Sequence, residues 1–420
     1  MLYDRWRQIS QAQARELALR DEATGRSWSF AQLASAAESG DAGVQTDGVA
    51  FPQGNTAGFV IEVLRAWRIR RAVCPLDAGQ ARLDLGNLPA GCAQVKTTSA
   101  TTGAARAILF TEEQLAADAE NIVATMGLRT DWPNLGVISL AHSYGFSNLV
   151  LPLLLHGIPL LLAPSPLPEA IRRAASSPDH ITLPAVPALW RAWHEAGVIP
   201  TNVRLAISAG APLPLALEQA VHECSGLKIH NFYGASECGG IAYDATEAPR
   251  ADAACAGSAL QNVALAVGSS GGLEVRSSAV GLGYWPAPDD ALGGGCFCPT
   301  DLAELKEGRV FLRGRAGEQI NVAGRKVSPD LIERALLAQP GVRECLVFGV
   351  PQQDAGRGDL IVACVAATPD ARAGALKQAL LRVLPAWQVP REWVFVEALP
   401  VNARGKLSRA EWRRRFVGGK

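Results

Sequence analysis

The chain alternates between two hydrophobic rhythms for most of its first 270 residues, and the alternation itself predicts a fold. Residues 28–40 read as a strand entry followed by a helix. Residues 56–70 are helical, with Phe59, Val63, Leu64 and Trp67 on one stripe. Residues 72–77 form a short apolar run with the look of a buried strand. "TEEQLAADAENIVATMG" (111–127) is a helix opened by a capping box from Thr111 to Gln114. Strands at 134–140, 179–185, 203–210 and 227–234 are separated by helices at 187–197 and 213–226. The most apolar stretch, 149–164, divides into a buried helix, a turn and a strand. Strands and helices in alternation predict an α/β fold with a mostly parallel, covered sheet.

The rhythm changes from 257 to 314. Glycines cluster, helical spacing vanishes, and short strands at 272–278 and 308–315 suggest a small β subdomain. A compact α+β piece follows. Its first helix, 328–341, opens with Ser328 as N-cap and Pro329 at the first helical position. Strands at 344–351, 359–367 and 393–400 surround a helix at 371–384. We therefore expect two units, 1–315 and 316–420, the second small.

Composition narrows the function. The 420 residues carry 40 Lys plus Arg against 40 Asp plus Glu, so no net charge recommends a nucleic-acid or anionic-membrane partner. The apolar stretch at 149–164 contains three prolines and a histidine and falls short of the ~20 residues of a membrane span. The start is polar and unlike a secretory signal. Nine scattered cysteines, of which Cys296 and Cys298 are close without a second pair at zinc-finger spacing, read as reduced thiols of a cytoplasmic protein.

Chemistry gathers in five short segments. "KTTSATTGAAR" (96–106) crowds hydroxyl donors Thr98, Ser99, Thr101 and Thr102 around Gly103, with Arg106 behind. Such a set suits phosphate oxygens. Taken alone it suits a polar surface turn better, and the Walker pattern is absent. "NFYGASECG" (231–239) puts Tyr233, Gly234, Ser236 and Glu237 after a strand, where a carboxylate can hold a divalent metal. Asp301 sits in a turn where it can accept from a ribose diol. "FLRGRAGEQINVAGRKVSP" (311–329) is punctuated by glycine and carries Arg315. "LPVNARGKLSR" (399–409) carries Lys406.

In this order, the segments resemble the adenylate-forming enzymes, the group of acyl-CoA synthetases, aryl-acid ligases, peptide-synthetase adenylation domains and firefly luciferase. "TTSATTGAAR" is similar to the family's Thr-Ser-Gly-[Ser/Thr]-Thr-Gly-x-Pro-Lys loop, and "YGASE" to its Tyr-Gly-x-[Ser/Thr]-Glu motif. "TDL" with "LRGRAGEQINVAGRKVSPDLIE", and "LPVNARGK", resemble its later motifs, while "ISAGAPLP" (207–214) resembles a Gly-Gly-Ala-Pro-Leu segment. The likeness spans nearly the whole chain. It departs at Ala100, Ala105 and Arg106, where the family has glycine, proline and lysine, and at Pro299-Thr300 before Asp301.

The resemblance implies two half-reactions. A carboxylic acid and Mg-ATP give an acyl-AMP and pyrophosphate. A thiol, coenzyme A or a carrier protein's phosphopantetheine, then takes the acyl group. It implies catalytic roles for Lys406, Glu237 and Arg106, with Glu237 on Mg²⁺ and Ser236 on a phosphate oxygen. Thr98, Ser99, Thr101, Thr102 and Gly103 would cradle phosphates. Asp301 would accept the ribose hydroxyls beside Arg315, Tyr233 would stack on adenine above Gly234, and Gly210 and Ala211 would line the base pocket. The small unit would rotate about Arg315–Glu318 between the half-reactions. The pocket segment "AHSYGFSNL" offers His142, Tyr144 and Phe146 and no aspartate for an α-amine. The expected acid is therefore aryl or medium-chain acyl, with an acyl carrier protein as a possible partner.

Overall fold

A computed structural model describes residues 2–39, 48–97, 106–352, 358–399 and 409–418. Thr98, Ser99, Thr101, Thr102, Gly103 and Lys406 lie outside them. An 11-stranded mixed sheet organises the large unit. Strands Leu17–Asp21, Leu160–Leu162, Asn134–Gly136, Ile181–Ala185, Val203–Ser208 and Ile229–Ala235 run parallel, in that spatial order. Helices between them cover the sheet, as the alternating pattern requires.

Half of the sheet departs from the sequence expectation. After Ile229–Ala235 the chain turns back at Ser236–Cys238 into Gly239–Tyr243, and Cys255–Ala259, Arg309–Arg315 and Asp301–Lys306 extend the sheet antiparallel. The turn has no room for a crossover helix, so an antiparallel return is the available connection. Gly239 makes it possible: its φ is +69°, and a Cβ there would overlap the Asp118 carboxylate. The antiparallel half bends at three register shifts, near Gly240, Gly257 and Leu302. At the middle one, Gly257 has φ +100°, and a Cβ would collide with the Tyr243 backbone.

Helix ends follow the sequence closely. Thr111 and Gln114 form both bonds of the capping box of helix Glu112–Met126. Ser328 caps Pro329–Leu337 by accepting from the Asp330 amide. Phe59, Val63, Leu64 and Trp67 are all buried on helix Ala57–Arg68. Residues 72–77 differ: Val73 and Leu76 make isolated bridges to Ala50 and Gln53 instead of a regular ladder. Proline at 75 removes a donor from so short a run.

Two hydrophobic cores are distinct. The larger runs from Leu2 to Val310 and centres on Trp6, Phe30, Phe59, Trp190 and Trp193. A second begins at Ile320 and packs Ile332, Leu336, Val347, Val365 and Leu380 between the strands Val342–Pro351, Asp359–Ala367 and Glu392–Val396 and their helices. A short 3-10 turn, Ala316–Glu318, joins them.

Candidate functional site

The carboxyl ends of parallel strands are where α/β sheets hold ligands, because loops diverge there and leave a crevice. Three of the expected segments sit on that edge. His142 follows Asn134–Gly136, Gly210 and Ala211 follow Val203–Ser208, and Ser236–Glu237 follow Ile229–Ala235; Val186, which follows Ile181–Ala185, joins them there. Gly210 and Ala211 are exposed, and Gly210 adopts φ +85° with Val186 3.5 Å from where a Cβ would stand. A nearly bare backbone on this edge suits a flat ligand lying against it.

Asp301 is the best-furnished carboxylate. The Tyr233 hydroxyl donates to its Oδ2 at 2.9 Å, and Arg315 Nε donates to Oδ1 at 3.2 Å. Arg315 stands directly opposite Asp301 on the neighbouring strand. Tyr233 is four strands away in ladder order, which in a flat sheet is about 19 Å; the bends of the antiparallel half close that gap. Burial, and then the Asp301 charge, push the Tyr233 phenol well above its usual range, so it stays a donor. Each carboxylate oxygen retains acceptor capacity, which is what a vicinal diol needs. Gly234 is exposed beside Tyr233.

Glu237 is furnished from a different direction. The Tyr284 hydroxyl donates to its Oε1 at 3.1 Å. Tyr284 lies on Gly283–Trp285, a strand of a separate three-stranded sheet with Ala107–Phe110 and Gln94–Thr97. Arg106 lies over the Tyr284 ring at 4.4 Å and donates to Asp289 at 2.9 Å. Arg106 and Glu237 therefore meet through one tyrosine. Burial and the Glu237 charge raise that phenol.

Behind Glu237 the sequence reading missed a buried pair. Lys96, last but one before the hydroxyl-rich loop, is 5% exposed. Its Nζ sits 3.9 Å from Asp118 Oδ2 and 4.2 Å from the Phe110 ring centroid. Asp118 also accepts from Ser147 Oγ at 2.5 Å and from the Gly240 amide. Burial lowers the Lys96 ammonium, while Asp118, Cys238 and Glu237 oppose it. One lysine in a strand with no neighbouring carboxylate in sequence gives no signal of this.

The pocket residues divide. His142 Nε2 is 3.2 Å from Asp77 Oδ2, and Ser139 Oγ donates to Asp77 Oδ1 at 2.6 Å. Asp77 thus orients His142, across 65 residues that no motif bridges. Tyr144 donates to the Ile207 carbonyl at 3.3 Å, and its ring lies 6.0 Å from Phe232. Phe146 requires correction: it is fully buried, edge-on to Phe59, so it backs the pocket instead of facing it. It lies on a π-helical turn, Phe146–Val150, whose five residues are all buried. That turn rotates the side chain into the core.

Beyond residue 408 the chain is anchored by Arg409. It bonds Glu318 in the connecting turn and Asp330 and Glu333 on helix Pro329–Leu337. Burial raises the Glu333 carboxyl to about 7, against the pull of Arg409. Arg315 links this cluster to Asp301, since it also faces Glu318 at 3.8 Å.

Among the described residues, no helix is long and apolar enough to cross a membrane. Residues 87–285 match the AMP-binding enzyme family, and 331–406 match the AMP-binding enzyme C-terminal domain. A probable 2-succinylbenzoate–CoA ligase of Mycobacterium tuberculosis is 30% identical over 343 residues, 78% of this chain and 85% of that protein. A feruloyl-CoA synthase from Amycolatopsis is 29% identical over 76% of this chain and 69% of that protein. The ATP-bound crystal structure of MatB from Rhodopseudomonas palustris superposes with a TM-score of 0.85 at 20% identity, covering 99% of each chain, and so shares the fold. The protein belongs to the AMP-binding enzyme family, as its ordered motifs imply.

Proposed function

We propose that the protein is an AMP-forming acid–CoA ligase acting on an aryl acid. Acid and ATP give an acyl-AMP and pyrophosphate, and coenzyme A then displaces AMP to give the thioester. The observation that carries this reading is a pair of carboxylates each held by a tyrosine: Tyr233, on the strand that leads to Glu237, bonds Asp301, and Tyr284 bonds Glu237. Asp301 suits the ribose diol and Glu237 the phosphate side, with Gly210 and Ala211 at the end of the neighbouring strand. Similar proteins named for 2-succinylbenzoate, ferulate and 3-hydroxybenzoate support an aryl acid. So does the absence of an acidic side chain from 141–149, where an α-amine would need one.

Glu237 fits a hard divalent cation: it is a half-buried carboxylate linked through Tyr284 to Arg106. Mg²⁺ bound there would neutralise phosphate charge. Arg106 adds a fixed guanidinium on the same side, and His142, oriented by Asp77, faces the acid. Thr98, Ser99, Thr101, Thr102 and Gly103 complete the phosphate cradle. Lys406 bridges the acid carboxylate and the phosphate being attacked, bringing two anions together. Residues 1–315 and 316–420 act as two units with Arg315–Glu318 as hinge, and the reaction is cytoplasmic.

A panel of aryl and aliphatic acids, scored for pyrophosphate release with and without CoA, tests the reading. An aryl acid should give the fastest release and a CoA thioester. Pyrophosphate with no CoA thioester, but transfer to a phosphopantetheinyl carrier protein, would move the acceptor to a carrier. Binding of ATP without release for any acid would leave a non-catalytic nucleotide binder. Lys406→Ala should abolish acyl-AMP formation yet still transfer the acyl group of supplied acyl-AMP; an unchanged first half-reaction would remove Lys406 from its role.

A further inference from the structure

Cys296 opens a two-residue strand and Cys298 follows it directly, and their Sγ atoms lie close together on one side. That strand, Cys296–Phe297, pairs with Leu273–Arg276, with Arg276 opposite Cys296 and Val275 opposite Phe297. The next position in this register sets Glu274 across from Cys298. Both Sγ atoms and a Glu274 carboxylate oxygen lie within 4.8 Å of one another. Sequence spacing cannot reveal this third group, which comes from 22 residues upstream.

The scaffold is fixed from several sides. Phe297 is buried between the two cysteines. The hairpin from Leu292–Gly293 to Cys296–Phe297 turns on Gly294 and Gly295, both with positive φ. The Cys298 amide donates to the Ala291 carbonyl at 2.8 Å. Only side-chain rotation is needed to close the cluster. A tetrahedral ion with bonds of about 2.3 Å to sulfur and about 2.0 Å to oxygen wants its ligands roughly 3.5–3.8 Å apart. That is a contraction of about 1 Å, within the reach of χ1 changes.

We propose that Glu274, Cys296 and Cys298 form a binding site for a thiophilic divalent cation of the zinc class, with water in the fourth position. The donors suit a borderline-soft d¹⁰ ion and not magnesium. Two thiols lose their protons to solvent as two metal–sulfur bonds form, so binding releases two protons. Two thiolates and one carboxylate on a dication sum to one negative charge. Arg276 supplies the balancing positive charge, its Nε 2.7 Å from Glu274 Oε1. A hydrogen bond from outside onto a ligating carboxylate is the usual way such ligands are held. Cys298 is exposed, which leaves the ion an entry path. None of the three ligands is a residue assigned to the acid-activating reaction.

Titrating the reduced full-length protein with cadmium, read by thiolate-to-metal absorption, and with zinc, read by competition with a chromogenic chelator, tests the proposal. One equivalent of each should bind, with about two protons released per ion. Cys296→Ser/Cys298→Ser should abolish the absorption band and weaken binding at least 100-fold. Glu274→Gln should weaken it about 10-fold while leaving the melting curve of the metal-free protein in place. Equal uptake by the double variant would place the ion elsewhere. Equal affinity in Glu274→Gln would mean a bare thiol pair catching cadmium, with no built site. Either result overturns the proposal.

Discussion

The two carboxylates proposed to face the nucleotide are held in different ways. Asp301 takes its donors from its own sheet: Arg315 is its cross-strand neighbour, and Tyr233 comes from a strand of the same ladder. Glu237 takes Tyr284 from another sheet, whose middle strand follows Arg106 and whose far strand, Gln94–Thr97, leads into the hydroxyl-rich segment. One end is built into a rigid ladder, and the other is an assembly of separate pieces. Preorganisation of this kind suits ground-state recognition of a neutral diol. A joint between separate sheets suits groups that tighten as charge develops on phosphate.

If that contrast holds, the two ends should fail differently. Glu237→Gln should lower kcat by roughly 10²–10³-fold, the scale for removing a group aimed at developing charge. The rate should also need more Mg²⁺. A pure KM effect would erase the distinction. Asp301→Asn should act mainly on KM for ATP, by about 10–100-fold, because it weakens charge-assisted hydrogen bonds of about 1.5–3 kcal/mol. The matched pair of tyrosines refines this. Tyr284→Phe should cost about 1 kcal/mol, or about fivefold, in kcat. Tyr233→Phe should raise KM by a smaller factor, since Arg315 still holds Asp301.

Low pH needs a control away from both ends, and His156 provides one. It is 14% exposed. Burial, with Arg5 adding to it, holds its imidazole at about 4, below the usual 6.5. The folded state therefore refuses a proton that the unfolded chain accepts. Its contribution to stability is full above pH 6.5 and is lost as pH falls through about 4, to a limit of about 3 kcal/mol. His156→Gln should flatten the melting temperature between those values without changing the pH dependence of KM. Activity loss in that range that survives the substitution belongs to the site.

The parts of the molecule written locally were legible in sequence. Capping at Thr111 and Ser328 and the stripe on Ala57–Arg68 depend on neighbours within a few residues. So do the ordered motifs that carry Glu237 and Asp301. What escaped depends on distance along the chain. The antiparallel half of the sheet joins 239–243 to 255–259 and 301–315, through short glycine-rich strands with no period to read. Asp77 and His142 meet across 65 residues, and Lys96 finds Asp118 on a helix after the loop. Phe146 misled for another reason. An aromatic in a helical segment satisfies pocket and core alike, and the π-helical turn decides between them. The Cys296–Cys298 pair was visible, but its carboxylate partner was not.

The most direct test is product analysis with ATP, the best acid of the panel and no CoA. The account predicts pyrophosphate and an enzyme-bound acyl-AMP, the mixed anhydride of the acid and AMP, converted to AMP and thioester when CoA is added. Formation of ADP and phosphate, or of an acyl phosphate, would contradict it.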